Sequence, residues 1–588
     1  MSISRFIVIH VFYFLFLSIS YLSATNYYVA TSYGDDNNNG TSIATPYKTI
    51  GKAASVMSSG DKCYIRQGRY HETITIDDLD GSSGSAIVFT NYNNERVVVD
   101  GTTPITSTWT QVGSSNIWRT KLSADIWQLF VNWEEQVMAR WPNAKFSDDT
   151  IWDNDNYWAK GTIDDDENAY TNGTIIDDPY TNSASTAIDL NAASFDLDET
   201  NKQAIAILNL GSFRTWSRLV TGHSGNTFNY ATVPNWKTKH HYYYLEGRRE
   251  FLDQAGEWWY DTYNNVDSLY YYANNGVDPN RLDFRGKVQS YAFSITGSQY
   301  IQIKNLEFFA TTVYFSNGDN CLVYGCNFMY PSCSKRMLRT VDTEPEMTKF
   351  ASGSAGSSIR NCAFRNTDGT ALEMWGGTDT VDNCYFNKID YSVADNSSIM
   401  LTMRMNGTSN VFRKNTVHRT GGSATVMVGD AGLVEYNNLY DTGHLQSDGS
   451  MIQFMEGQQD GAICRYNWLH DTEKYGARFD HSGTADGTNG IMHHNLAWNC
   501  ESGGIMVKGD NHKVYNNTVL NSGSKNDIIV FQVNSGDHAS TIVKNNAADK
   551  IANHRTNDVA IDFGTYTNNW NGYDESVTLN SILTDTSN

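Results

Sequence analysis

From about Leu306 to Asn546, short runs of alternating apolar and polar residues recur, and within each recurrence two runs meet at a fixed Asn or Cys. The returning phrase reads VYGCNF, IRNCAF, VDNCYF, FRKNTV, VEYNNL, CRYNWL, MHHNLA, VYNNTV and VKNNAA. Its fourth position falls at Cys326, Cys362, Cys384, Asn415, Asn437, Asn467, Asn495, Asn517 and Asn546, with a weaker copy, IKNLEF, at Leu306. Alternation at period two predicts strands buried on one face. A step of 22 residues recurs between copies, and longer steps carry insertions. Such a period marks a solenoid whose coils cannot bury their apolar faces alone. Coils stacked about 4.8 Å apart let each Asn amide bond its neighbours inside the turn, where a lone amide would be costly. Cys at the same position serves as a small buried hydrophobe. The predicted fold is all-β, a right-handed parallel β-helix of the pectate-lyase kind, its hand following the usual rule for parallel crossovers.

The register assigns faces. Counting ten and twelve residues from the ladder position places Leu372/Met374, Thr425/Met427, Ala477/Phe479 and Ile505/Val507 inside, and Glu373/Trp375, Val426/Val428, Arg478/Asp480 and Met506/Lys508 outside. Arg404 and Gln453 fall on the same outward face in the simplest alignment.

Around this solenoid the chain divides into further parts. Residues 1–24 carry Arg5, an apolar run from Phe6 to Leu22 and a small-residue end, the order of a secretory signal peptide cleaved after Ala24. Residues 25–104 form an N-terminal cap and the first coils. There a turn at Asp35–Gly40 precedes a helix starting near Thr45-Pro46, placed to cover the open end of the solenoid. That turn fits half of a calcium loop, D-x-N-x-N-G, but Pro46 stands where the closing Glu belongs, so a structural Ca2+ competes with a plain Asx turn. Residues 105–288 lose the phrase and carry longer aromatic strands, an antiparallel β-rich insertion. Residues 289–549 are the main β-helix, and 550–588 a C-terminal cap and tail.

Composition narrows the partners. The formal net charge is -22, with 43 basic and 65 acidic residues, which argues against nucleic acid or an anionic membrane. An anionic polysaccharide is not excluded, since local charges in a cleft decide its binding in salt. The expected protein is secreted, extracellular or periplasmic, free of membrane after leader removal, and monomeric. Its eight cysteines include three in the ladder; Cys321 and Cys333, flanking the first of these, are the better candidates for a bridge. Aromatics make up 13% of the chain, serving a large β core or a sugar-stacking surface.

The outward face concentrates chemistry. Glu373, Trp375, Arg404, Gln453, Arg478, Asp480 and Lys508 gather on neighbouring coils, and loops carrying His444, Glu456, Lys474 and His481 enter beside them. Two carboxylates stand out: Asp448 in GHLQSDGSMIQF, just before a strand, and Asp480 in KYGARFDHSG. A pair about 5 to 9.5 Å apart is what glycosidic cleavage requires, one protonating the leaving oxygen and one acting as nucleophile or activating water. Asp480, beside Arg478 and Lys508, is expected to stay ionised; Asp448, with no cation in that register, is the better acid. The competing reading is an Asp480/Lys508 ion-pair ladder with Asp448 capping the strand start. No metal or other cofactor is called for.

The phrases QLFVNWEEQVMARWPN, QSDGSMIQF, YNWLHDTEKYGARFD and MHHNLAWNC resemble right-handed β-helix glycoside hydrolases, in particular the family 141 fucosidase and xylanase group and the related family 174 endo-fucanases. The resemblance implies a secreted enzyme acting on a fucose-containing, sulfated-fucan-like or otherwise complex polysaccharide, with acidic catalytic residues in the groove. Trp133 stands where such proteins usually have Gly. The same fold hosts polysaccharide lyases, which would need a base such as Lys474, Lys508 or Arg478, and non-catalytic glycan binders.

Overall fold

The computed structural model describes residues 24–161, 172–178, 190, 194–211, 213–233, 241–261, 267–396, 401–481 and 487–572; the expected leader, apart from Ala24, lies outside them. The architecture is a right-handed parallel β-helix. Among the described residues the first sheet has 14 strands, from Asn26–Val29 to Thr565–Thr567; the second 13, from Gly68–Tyr70 to Trp570–Asn571; and the third 12, from Ile74–Asp77 to Ile551–Ala552. One coil shows the plan: Ile463–Arg465 in the first sheet, a bend at Asn467, Trp468–Thr472 in the second and Tyr475–Phe479 in the third. Cys464, Leu469, Ala477 and Phe479 point inward and are fully buried. Like stacks on like: Phe308, Phe328, Phe364 and Phe386 form a column with centroids 4.6, 4.6 and 5.0 Å apart. Each such side chain contributes roughly 1.5–3 kcal/mol by leaving water.

The bend between the first and second sheets is made by one left-handed residue before the ladder position. Lys414, Tyr436, Tyr466, His494 and Asn516 all have φ between 54° and 56°, which costs a side-chain-bearing residue about 1–2 kcal/mol. The ladder offsets that cost. Asn437 donates its backbone N–H and Nδ2 to Asn467 Oδ1 at 3.1 and 2.9 Å, Asn467 does the same to Asn495 at 3.2 and 3.0 Å, and Asn495 to Asn517 at 3.1 and 3.0 Å. Asn415, Asn517 and Asn546 repeat the pattern. Cys384 joins at the other end, its backbone N–H reaching Asn415 Oδ1 at 2.8 Å.

Several expectations need correction. All eight cysteines are buried free thiols; Cys321 and Cys333 do not pair, because the first points at Ser298 O (3.7 Å) and the second at Trp127 O of the insertion (3.6 Å). The assignment of Thr425/Met427 to the interior is one residue out: Val426 and Val428 are in the core, in register with Met403 and Met405, and Met427 faces outward. The turn at Gly421-Gly422 carries one residue more than its counterparts, and at period two a single residue reverses the faces. The N-terminal helix is Ile50–Ala54, capped by Thr49 and not begun by Pro46. In the preceding turn Asp35 accepts from Asn37 N at 2.9 Å, and Asp36 from Lys48 N and Thr49 N at 2.8 and 3.0 Å, the geometry of an Asx turn. The stretch 550–588 is not only a cap and tail: Thr565–Thr567 and Trp570–Asn571 add to the first and second sheets, and Asn569 extends the ladder.

Between the strands Thr102–Pro104 and Phe284–Lys287, which pair antiparallel, the chain builds antiparallel sheets around Trp141, Trp216, Tyr243, Trp258 and Trp259. Much of the aromatic content is therefore core. Trp133 takes φ 72°, where glycine would cost nothing, and its ring lies beneath the Arg69 and Arg285 guanidinium carbons, 3.9 and 4.7 Å from its centroid. The insertion docks on the turns between the second and third sheets. Asn209 Nδ2 donates to Leu445 O (2.6 Å), Ser217 N to Asp395 Oδ1 (2.8 Å), and Thr215 forms a parallel bridge with Ala394. Buried Arg336 joins the two parts, 3.1 Å from both Glu246 of the insertion and Asp368 of the solenoid, a pair costly to break from either side.

The turns also hold buried acids. Burial pushes Asp379 and Asp390 up to about 7 and Asp395 to about 6, although each accepts backbone N–H bonds that act the other way. These groups keep their protons in the folded chain at pH values where the unfolded chain has lost them. Their contribution is present below the ordinary carboxylate range and is lost as pH rises through 6 to 7. Urea midpoints are therefore expected to fall from pH 5 to pH 8, and Asp390→Asn to flatten that slope; an unchanged slope in the variant refutes the assignment.

Candidate active site

The outward column of the third sheet reads Lys349, Glu373, Arg404, Met427, Gln453, Arg478 and Met506 in direct register. Glu373, Arg404, Gln453 and Arg478 thus share one face, and Met427, packed with Leu401, Ala424 and Met455, divides it into two polar groups.

In the first group Glu373 is 2.8 Å from Lys349 Nζ and accepts the indole N–H of Trp375 at 2.9 Å. Arg404 lies over the Trp375 ring, 4.3 Å from its centroid, so one face of that half-buried indole is already covered.

Arg478 organises the second. Its Nη1 lies 2.8 Å from Asp448 Oδ1, its Nη2 3.2 Å from Asp480 Oδ2, and its Nε donates to Gln453 Oε1 at 2.9 Å. Burial would lower its affinity for the proton, but Asp480 and Asp448 outweigh it and hold the guanidinium charged. Ser450 Oγ donates to Gln453 Oε1 at 2.6 Å, which fixes the amide whose Nε2 reaches Asp480 Oδ2 at 3.4 Å. Lys508 Nζ closes the chain, 2.5 Å from Asp480 Oδ1. The expected asymmetry between the carboxylates is corrected here: Asp448, predicted to have no cation, shares Arg478 with Asp480. Their contacting oxygens, 2.8 and 3.2 Å from neighbouring nitrogens of one guanidinium, are at most about 8 Å apart, below the upper limit for two-carboxylate glycosidic cleavage. The Asp448 side chain is 41% exposed and that of Asp480 15%, so the pair has an open member and a sheltered one.

The remaining candidates disperse. His444 turns to Asp441, with Nε2 2.9 Å from Oδ1, and sits against Trp152 of the insertion. Burial would raise the Asp441 carboxyl, but His444 and Arg419 hold it well below the usual range. Lys474 is buried, its proton affinity lowered by burial, with Glu473 Oε2 at 3.3 Å. His481 is buried, with Nε2 3.9 Å from Asp537 Oδ2, and its carbonyl accepts from Lys508 Nζ at 3.4 Å. Glu456 opens the 3-10 turn Glu456–Gln458 after the strand; its side chain lies outside the described residues. Sequence reasoning missed Ser450 and Lys349, which set the poses of Gln453 and Glu373; Ser450 sits three residues before Gln453 in QSDGSMIQF, the one local sign. Among the described residues no three His, Cys, Asp or Glu side chains cluster as a metal site.

A family described as a right-handed β-helix region matches residues 350–519. A solved structure titled "Glycoside hydrolase" superposes with TM-score 0.57 at 13% identity, over 84% of this chain and 95% of its own. One titled "The complex structure of XylC with xylose" aligns at 13% identity with TM-score 0.43, over 84% and 75%. An uncharacterized protein of Bacillus subtilis (strain 168), YwoF, is 37% identical over 76 residues, 13% of this chain and only 16% of that relative. At these identities the structural likeness speaks for the fold.

Proposed function

We propose that this chain is a secreted glycoside hydrolase that cleaves a complex, fucose-containing polysaccharide with Asp448 and Asp480. The observation that carries the reading is the shared guanidinium: Arg478 draws both carboxylates to one spot on the outward face of the third sheet, no farther apart than two-carboxylate cleavage allows. The solved structure titled "Glycoside hydrolase" and the resemblance of the four sequence phrases support the reaction class. In this scheme the two carboxyls, Asp448 the more open and Asp480 the more sheltered, divide the tasks of protonating the leaving oxygen and of acting on the anomeric carbon or on water. Gln453, Arg478 and Lys508 hold Asp480 in place. The lyase reading draws on Lys474, whose buried amine loses its proton more readily than an exposed one.

Digestion of algal and plant polysaccharides, read by reducing ends and near-ultraviolet absorbance together, tests both readings. New reducing ends without absorbance are expected; absorbing products assign a lyase, and uncut polymer bound on an affinity gel assigns a binding protein. Trp375, half-buried with Arg404 and Lys349 at 4.3 and 5.8 Å from its ring centroid, has only its exposed part to offer to a sugar. Trp375→Ala is expected to raise KM several-fold, on the order of 1 kcal/mol, while kcat stays within about twofold. A kcat loss exceeding the KM effect contradicts this placement.

A further inference from the structure

A cavity of about 410 Å³ opens where the insertion meets the ends of the second-sheet strands, lined by Glu134, Glu135, Phe146, Trp152, Tyr330 and Tyr391 among others. It shares no lining residue with the Asp448, Arg478, Asp480 and Lys508 chain. Its volume lies within the range of small-molecule sites. Glu135 Oε1 accepts from Gln128 Nε2 and Tyr391 Oη, both at 2.7 Å, while Oε2 is buried with no hydrogen-bond partner. Glu257, also on the wall, repeats this: Oε2 accepts from Asp253 N and Gln254 N at 3.0 Å, and Oε1 has no hydrogen-bond partner. A native chain rarely leaves two buried carboxyl oxygens unmatched beside one cavity unless something fills it.

We propose that this cavity is a second glycan-recognition site that takes a single neutral sugar unit. Burial pushes both Glu135 and Glu257 up to about 8, so each is an uncharged carboxylic acid whose unmatched oxygen lies covered at the wall and donates to a sugar hydroxyl once the side chain turns into the cavity. Exposed Glu134 accepts in return, and the rings of Phe146, Trp152, Tyr330 and Tyr391 offer apolar faces to sugar C–H groups. With Glu135 and Glu257 uncharged and Lys388 held by Asp149 at 2.6 Å, the charges left on the wall are one carboxylate, Glu134, and one ammonium, Lys145, a balance that suits a neutral sugar better than an anionic one. The proposal rests on the reading of this protein as glycan-active, and it adds a site outside the catalytic cluster.

Saturation-transfer NMR and titration of the full chain with xylose, fucose, galactose and glucuronate test it. A neutral sugar is expected to bind the parent and Asp480→Asn alike, with affinity reduced about tenfold or more in Ser147→Trp, which fills the cavity from an exposed position, and with glucuronate about tenfold weaker. Phe146→Ala, expected to weaken binding about threefold or more, decides the matter should Ser147→Trp fail to fold. Undiminished binding in the folded cavity variants, loss in Asp480→Asn alone, preference for glucuronate, or no sugar bound at all each overturns the site. Polymer cleavage measured on the same proteins separates the two proposals: a parent that cuts polymer but binds no sugar in the cavity loses only this site, and one that binds sugar there but leaves every polymer uncut loses only the hydrolase assignment.

Discussion

Asp448→Asn and Asp480→Asn are each expected to lower kcat/KM on the cleaved polymer by roughly 10³-fold or more, with melting temperatures close to the parent. An amide oxygen can still accept from Arg478, so the hydrogen-bonded frame of Gln453 and Ser450 has reason to persist, although in Asp480→Asn the NH2 replaces the oxygen that accepts from Lys508. An amide cannot transfer the proton or attack carbon, so the chemistry does not persist. Lys508→Ala is the internal comparison. It removes the 2.5 Å contact to Asp480 but leaves the guanidinium of Arg478 in place, and a loss of about tenfold is expected. Near-normal rates in both Asp variants end the two-carboxylate proposal. An inactive Lys508→Ala, from a parent whose products absorb in the near ultraviolet, transfers the assignment to a lyase.

The solenoid was legible because identical phrases recur with identical chemistry: nine copies of one bend define a register, and a register defines faces. Prediction failed where a turn departs from the repeat. The extra residue at Gly421-Gly422 reversed one strand and put Met427 outside, and nothing local in the sequence marks which turn carries it. The last coil was readable in YTNNWN, whose Asn569 continues the ladder, but a bend flanked by Tyr566 and Trp570 in place of aliphatic residues passed for tail. The site was half visible. Register placed Glu373, Arg404, Gln453 and Arg478 on one face, since strand pairing is periodic. The path of the loop from Gly443 to Gly449 is not periodic, and it is that path which brings Asp448 to Arg478. The cavity wall at Glu135 required knowing how the insertion docks, which depends on contacts between residues far apart in sequence, such as Glu135 and Tyr391.

Asn467→Ala is expected to cost roughly 2–6 kcal/mol of unfolding free energy, since buried donors left without acceptors cost about 1–3 kcal/mol each. Asn467 is fully buried. Its Oδ1 accepts from Asn437 N and Nδ2, and its Nδ2 donates to Val434 O and Asn495 Oδ1. Truncation leaves the Asn437 backbone N–H and one Nδ2 hydrogen unmatched, while the other stays on Phe412 O, and it cuts the ladder mid-column, where neighbouring bonds polarise one another. Asn467→Cys should cost less, because Cys326, Cys362 and Cys384 fill the same position with a thiol that points at backbone carbonyls. Chemical denaturation of the three proteins checks the order; an Ala variant as stable as the parent would show that the ladder is incidental to stability.

The docking of the insertion bears on how a polymer is admitted. Contacts from Asn209, Thr215, Ser217 and Glu246 reach Leu445, Ala394, Asp395 and Arg336, on turns of alternate coils. Tilting the insertion would break a buried ion pair, a strand bridge and a buried amide contact together. It therefore cannot act as a hinged lid that swings over bound substrate. Under the proposed function, the insertion stays in place while polymer binds at Asp448 and Asp480, and recognition falls to a preformed surface. Association should then follow a single bimolecular phase, without the slower closing step that a mobile cover imposes.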